Sequence, residues 1–402
     1  MNSQRRTTAN NRRRKMPVQK PAKTRVKREK LSLKLGEFDY TFLFLVFILL
    51  AFGLVMLLSA STPSANTKIG DSYYFFIRQL GGVVLGSAGL VFFAMVDYHK
   101  YKKLIKSAFV IGVILLVCCR IPGIGQFRNG AWRWLRTPFI QLQPSEFMKP
   151  LIALYFAKLV SEKKYRPDTL NGLAFYGVHL AVIALIMWLL QSHMSGAIVI
   201  CAIGVMVLVV GGARIRYFVT VGLCLVPLAF VYIQQDPMRL GRVLSFVDPF
   251  RDTGDKSYQI TQSLIAIGSG GLFGRGLGQS VQKYGFLPEP YNDFIFAIVC
   301  EELGLVGGLI IIALFAALVA RGIKIAMEAP DTFGMLTVIG IISHVAIQTV
   351  FNIAVVCCAM PTTGISLPFF SFGGTAVMVL VAEMGIVLNV SRQSTKIKKL
   401  PK

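Results

Sequence analysis

Apolar runs of roughly 18 residues or more recur along this 402-residue chain, and a run of that length is enough to cross a bilayer as a helix. Inside hydrocarbon every backbone polar group must find its partner within the chain, so such runs commit the sequence to transmembrane helices. Composition agrees. Hydrophobic residues make up 54% of the chain and charged residues only 15%, where a soluble protein carries about a quarter charged. A soluble enzyme, a disordered chain and a disulfide scaffold are all excluded. The seven cysteines (Cys118, Cys119, Cys201, Cys224, Cys300, Cys357 and Cys358) lie inside apolar stretches, and no polar loop holds a pair. They read as small buried hydrophobes, not as disulfides or zinc ligands. The fold class is an all-α polytopic membrane protein.

Ten spans are predicted, at about 41–60, 74–96, 104–121, 145–160, 171–191, 194–211, 215–234, 293–319, 334–358 and 366–390. They form a membrane domain over 41–392 between two basic tails. Residues 1–40 carry 13 Lys or Arg against Glu29, Glu37 and Asp39 with no apolar run, and are expected to be a mostly disordered cytoplasmic tail. Residues 393–402 form a shorter basic tail. No aromatics interleave with the basic residues of the long tail, so no nucleic-acid partner is expected; anionic lipid or an acidic partner suits it better. With both termini cytoplasmic, the inner side collects 30 of the 43 Lys and Arg, as the positive-inside rule requires. Two outer segments, 122–144 and 235–292, are too long to be simple turns, and long loops usually carry function.

The 19 acids are few enough for a full census, and Asp236, Asp248, Asp252, Asp255, Glu289, Asp293, Glu301 and Glu302 all fall between 236 and 302. Chemistry at the outer face belongs there. Asp293 ends a polar run, Leu287-Pro288-Glu289-Pro290-Tyr291-Asn292, and opens an apolar helix. Two roles fit it and can coexist: an N-cap for that helix, or a general base for a substrate at the membrane surface. Glu301 and Glu302, about 12 Å further along the helix at 1.5 Å per residue, are better explained by structural pairing inside the bundle. Glu146 suits the first turn of a helix begun by Pro144. Lys149, one turn on and at membrane depth, is not explained by capping, and such a pair usually marks a site. The stretch Pro361–Thr375 holds two prolines and three glycines within 14 residues. It cannot continue a helix and is expected to form a re-entrant segment lining a cavity. The glycines from Gly268 to Gly278 lack a Gly-Lys-Ser/Thr ending and follow no strand, so they read as a turning outer loop and not as a nucleotide site.

These stretches together resemble the SEDS family of bacterial cell-wall proteins, whose members include FtsW, RodA and SpoVE. The resemblance covers about 38–392. It rests on Trp132-Arg133-Trp134, Gln143-Pro144-Ser145-Glu146 with Lys149, Tyr258-Gln259, and Gln262-Ser263 leading into the glycine run through Arg275. Pro288-Glu289, Asp293-Phe294-Ile295-Phe296, Glu301-Glu302-Leu303-Gly304, Asn352 and Pro361–Gly374 complete it. Tyr291-Asn292 stands where many members have His-Thr, Ser192-His193-Met194-Ser195 where many have Pro-Asp-Leu-Gly, and Phe372 where Tyr is usual. The long basic tail and the Leu287–Asp293 run incline the chain towards the division or sporulation branch.

The resemblance implies ten transmembrane helices and a peptidoglycan glycosyltransferase that polymerises lipid II at the outer face of the bacterial cytoplasmic membrane, in division (at the septum) or sporulation. Asp293 would be the catalytic carboxylate. Arg133, Gln143, Ser145, Glu146, Lys149, Gln259, Gln262, Ser263, Arg275, Glu289, Pro368, Ser371 and Gly373 would bind substrate around it. No metal-ligand cluster is evident, but a divalent cation (Mg2+ or Mn2+) could assist pyrophosphate departure. Implied partners are a class B penicillin-binding protein (a transpeptidase) and other division-complex membrane proteins. A lipid II flippase would need charged groups reaching the cytoplasmic half, whereas these gather at the outer face. A non-catalytic division scaffold would leave Asp293 dispensable.

Overall fold

A computed structural model describes residues 37–398 except 129, 138–140, 236 and 251–254. The expected disordered tail up to residue 36, the acids Asp236 and Asp252, and residues 399–402 lie outside the described residues.

Twelve helices and one hairpin make up the described chain. They are α1 (Tyr40–Ile69), α2 (Tyr74–Met95), α3 (Tyr98–Cys118), β1 (Gly125–Arg128), β2 (Ala131–Leu135), α4 (Pro144–Ser161), α5 (Leu170–Leu185, prolonged by a π-helical turn to Leu190), α6 (Met194–Val210), α7 (Ile215–Gln234), α8 (Pro237–Val247), α9 (Asp255–Gly270), α10 (Ile295–Met327), α11 (Thr332–Val356) and α12 (Gly374–Lys398). Each of the ten predicted spans falls on a helix. Among the described residues six are long and apolar enough to cross a membrane by length and composition: α1, α2, α5 with its π turn, α10, α11 and α12; α6 and the apolar part of α7 are shorter.

One charged helix is largely enclosed. α4 carries Glu146, Lys149 and Lys158, yet most of its residues are buried, because α3, α6 and α11 pack around it. A helix enclosed by protein needs no apolar face towards lipid. α2 and α12 pack most extensively of all. Gly82 and Gly86 allow this, since a side chain at either would meet the backbone of Gly374 or Met378.

Four expected features gain detail or a new boundary. The segment 122–144 contains the β1–β2 hairpin. The segment 235–292 contains α8 and α9, with Ser257 Oγ donating to Ser245 Oγ at 2.9 Å between them. The last span starts at Gly374 rather than 366 and runs through Lys398, six residues into the expected tail. The glycine run turns tightly. Gly268 and Gly270 close α9, and Gly274 lies against the backbone of Glu302 and Gly304. Gly304 itself has φ 71° within α10, a left-handed conformation that glycine adopts without steric cost.

The expected re-entrant segment is present. Residues 361–373 are irregular, and Ile365 and Leu367–Ser371 are buried. The Phe369 carbonyl faces Gly53, sixteen residues before Ile69 at the near end of α1, which is about 24 Å along the helix. Irregular backbone at that depth is tolerated because protein covers it. The Gln79 side chain on α2 supplies part of the cover, donating to the Ser371 carbonyl at 3.0 Å and accepting from Gly373 N at 3.0 Å.

Candidate active site

Asp293 lies in the turn that leads into α10. Glu289 starts this turn at φ 50°, and Asn292 holds it by donating from Nδ2 to Glu289 Oε2 at 2.7 Å. Tyr291 is buried, stacks on Phe75 at 4.3 Å, and accepts at its carbonyl from Phe372 N at 2.9 Å. The turn is therefore fixed from both sides. α10 begins at Ile295 with Phe294 at the cap position and no side-chain capping bond. Asp293 is thus not the N-cap of α10.

The carboxylate of Asp293 faces Gly364 in the re-entrant segment. A Cβ at Gly364 would sit 3.3 Å from Asp293 Oδ2, and Gly364 has φ 70°. Asn352 on α11 ties the two segments together, its Nδ2 donating to the carbonyls of Asp293 and Ile365, each at 2.7 Å. Burial, and then the like charge of Glu289, push the Asp293 carboxyl up from 3.8 to about 6, while Arg133 pulls it down. A carboxylate in that range accepts a proton efficiently near neutral pH and is still charged there.

Glu146 and Lys149 form a second centre. Lys149 Nζ donates to both Glu146 oxygens at 2.8 and 2.7 Å and to Gln348 Oε1 at 3.1 Å, all buried. Glu146 lines a small cavity with His344, Gln348, Ser366, Pro368 and Ser371. Asp293 is not on that lining. What joins the two centres is α11, where His344, Gln348 and Asn352 stand four residues apart on one helical face.

The other expected residues are spread over several elements. Arg133 on β2 is close enough to act on both Asp293 and His193, and its Nη2 donates to the Ser192 carbonyl at 2.9 Å. Gln143 donates to Ser145 Oγ at 3.0 Å and approaches His193 Nε2 at 3.5 Å, and burial with the nearby Arg133 and Lys149 cations holds His193 well below its ordinary value. Pro368, Ser371 and Gly373 belong to the re-entrant segment, where Ser371 Oγ accepts from Leu367 N at 2.7 Å.

The α9 residues serve the scaffold more than the site. Ser263 Oγ donates to the Val356 carbonyl at 2.8 Å, Gln259 reaches the Pro288 carbonyl at 3.5 Å, and Gln262 is half-buried. Arg275 turns towards Glu301, 3.8 Å away. Glu289 pairs with exposed Lys68 at 3.2 Å.

Glu301 and Glu302 are structural, as expected from their depth. Glu301 accepts from Ser280 Oγ at 2.5 Å and Val281 N at 2.9 Å. Glu302 pairs with buried Lys283 at 2.8 Å and accepts from Ser59 Oγ at 2.6 Å. Sequence reasoning missed Lys283, His344, Gln348 and Glu383. Only Glu383 carried a signal, as the single acid of the last span.

No group of three His, Cys, Asp or Glu side chains placed to hold a metal occurs among the described residues. Asp293 and Glu289 are the two carboxylates of the turn, and both Glu289 oxygens already accept, from Asn292 and Lys68.

Residues 40–396 match the family model FTSW_RODA_SPOVE, described as cell cycle protein. The chain is 40% identical to stage V sporulation protein E of Bacillus subtilis, over 89% of this chain and 97% of that protein. It is 37% identical to the probable peptidoglycan glycosyltransferase FtsW of Trichlorobacter lovleyi, over 89% and 94%. Among solved structures it superposes on a chain from work titled "Structural coordination of polymerization and crosslinking by a peptidoglycan synthase complex", with TM-score 0.75 and 25% identity over 89% of this chain and 98% of that one. A mutant of the rod shape determining protein RodA of Thermus thermophilus gives TM-score 0.66 at 25% identity, with the same coverage. With its motifs in order and the match running nearly end to end, the chain belongs to the FtsW/RodA/SpoVE family of membrane cell cycle proteins.

Proposed function

We propose that this chain is a peptidoglycan glycosyltransferase that polymerises lipid II at the outer membrane surface, with Asp293 as the general base. The observation that carries the reading is the state of Asp293. Its carboxylate caps no helix and is pushed up to about 6, while Asn352 ties its main-chain carbonyl to the re-entrant segment. A capping aspartate would instead be held low by the N–H groups it accepts.

In the reaction, Asp293 takes the proton from the acceptor sugar hydroxyl as that oxygen attacks the donor's anomeric carbon and the polyprenyl pyrophosphate departs. The leaving group is already a weak base, so it needs cations more than a general acid. Arg133 is the cation nearest in effect to Asp293. Lys149 is bound to Glu146 and Gln348 and acts on the substrate's charge from within the bundle. A divalent cation (Mg2+ or Mn2+), if bound, would be held by Asp293 and by Glu289, which would give up its bonds from Asn292 and Lys68, and would help neutralise the departing pyrophosphate.

The branch is division or sporulation, given the relatives named for FtsW and SpoVE. The basic tail and the charge count favour both termini in the cytoplasm and 235–292 outside. A class B penicillin-binding protein is the partner that the shared architecture favours, since the superposed chain comes from work on coordinated polymerisation and crosslinking.

The test is direct: purified protein, lipid II and Asp293→Ala, scored for glycan chains. Chains from the wild type alone support the reading. Lipid II crossing the bilayer without polymer would make the protein a flippase, and neither activity would leave a scaffold.

A further inference from the structure

His344 and Glu383 are 3% and 2% exposed, and His344 Nδ1 lies 2.7 Å from Glu383 Oε1. Both sit inside spans, on α11 and α12. An ionisable pair at such depth is expensive, and an apolar pair would fill the space without that cost. Neither residue entered the reading of the reaction given above.

The hydrogen bonds around Gln348 fix where the protons are. Gln348 Nε2 donates to the Ser366 carbonyl at 2.9 Å and to Ser366 Oγ at 3.0 Å. A carbonyl only accepts, so this end of the amide is the nitrogen. Its oxygen therefore points the other way, where Lys149 Nζ at 3.1 Å and His344 Nε2 at 2.9 Å converge on it. An amide oxygen cannot donate, so His344 Nε2 carries a hydrogen. Glu383 faces the other ring nitrogen and holds the ring in that orientation, as a carboxylate beside a functional histidine commonly does. Its second oxygen is buried and has no hydrogen-bond partner.

The geometry points to His344 and Glu383 as positioning residues for polymerisation: together they fix the Gln348 amide, one end of which holds Lys149 while the other holds the re-entrant segment. The proposal rests on the glycosyltransferase reading. It extends that reading to two residues away from Asp293: His344, on the lining of the Glu146 cavity, and Glu383 behind it. The same α11 face then continues to Asn352, which clamps the far end of the segment against Asp293. With His344 removed, one of the two donors on the Gln348 oxygen is lost and the amide gains a second orientation. Lys149 and Ser366 would both lose their fixed partner in that state.

The test uses full-length protein in liposomes with lipid II. His344→Met with Glu383→Ala replaces the pair by apolar groups, so folding should persist while kcat/KM falls about tenfold, the usual cost of losing an outer positioning partner. Glu383→Gln keeps a hydrogen bond to the ring and should restore the rate to within about twofold of wild type. Wild-type rate in the apolar double variant would reduce the pair to packing, and a loss in Glu383→Gln as large as in the double variant would make charge, not orientation, the cause. Either overturns the proposal. If the double variant does not fold, nitrogen-15 NMR of the histidine rings in wild-type protein decides, because His344 Nε2 must carry a hydrogen; a bare Nε2 overturns the proposal. That spectrum is independent of turnover, so a wild-type protein that makes no polymer would sink the enzymatic reading alone.

Discussion

Asn352 reaches Asp293 through the main chain: one side-chain NH2 donates at 2.7 Å to the carbonyl of Asp293 and at 2.7 Å to that of Ile365. The loop with the carboxylate and the re-entrant segment beside it thus share one clamp. Asn352→Ala leaves two carbonyls without that donor, at a cost of about 1–3 kcal/mol, and should lower both the melting temperature and the polymerisation rate. Asn352→Asp has the same shape but only accepts, and should be worse. A fully stable and active Asn352→Asp protein would mean that the clamp does not operate in the membrane.

Asp293→Asn should insert, fold and bind lipid II normally while turnover drops by roughly 100-fold or more, the usual share of a general base. Because α10 is not capped by this side chain, no capping energy is at stake, and removing a carboxylate that burial disfavours should not lower stability at pH 7. Asp293→Glu should recover little, since the added methylene displaces the carboxylate by about 1 Å. Near wild-type chain synthesis by Asp293→Asn would pass the role to Glu289.

The pH profile should carry the same signature. As the proposed base, Asp293 must be deprotonated, so activity should fall as pH drops through about 6. Glu289→Gln removes the like charge that raises the group and should move the midpoint lower; Arg133→Gln removes the cation that lowers it and should move the midpoint higher. Stability responds with the opposite sign. A carboxyl raised in the folded state contributes stability that is present below its ordinary value of 3.8 and lost as pH rises through about 6. An identical midpoint in all three proteins would show that another group titrates.

Lys283 and Lys68 should differ sharply. Lys283, buried on Glu302 at 2.8 Å, leaves an uncompensated buried charge when replaced, so Lys283→Met should cost about 3–5 kcal/mol. Lys68, exposed and 3.2 Å from Glu289, should cost at most about 1 kcal/mol. Thermal unfolding in one detergent compares them, and equal losses would contradict the assigned burial.

Topology can be read by labelling intact cells. Tyr284 is 66% exposed, so Tyr284→Cys, in a chain whose exposed Cys224 and Cys357 are replaced by Ser, should react with an impermeant thiol reagent. Labelling only after permeabilisation would put this loop, and the site with it, on the inner side.

What could be read from the sequence was what depends on local pattern. Apolar run length located ten helices, because a span must be apolar over a fixed distance. Proline and glycine density located the irregular segment at 361–373, because no helix tolerates it. The depth of Glu301 and Glu302 already required partners. The two helices of 235–292 were missed for the same reason, since α8 and α9 are too short and too polar to form a membrane-length run.

Tertiary structure alone decided which charge meets which. Glu302 finds Lys283 after a turn closed by Gly274 and Gly304, His344 finds Glu383 across two helices, and Asp293 is turned away from its helix end towards Gly364. Periodicity records which face of a helix is apolar, but not which neighbour that face will meet. Pairings between helices are set by how the whole bundle packs, and for Asp293 that packing decides between a helix cap and a buried carboxylate facing Gly364.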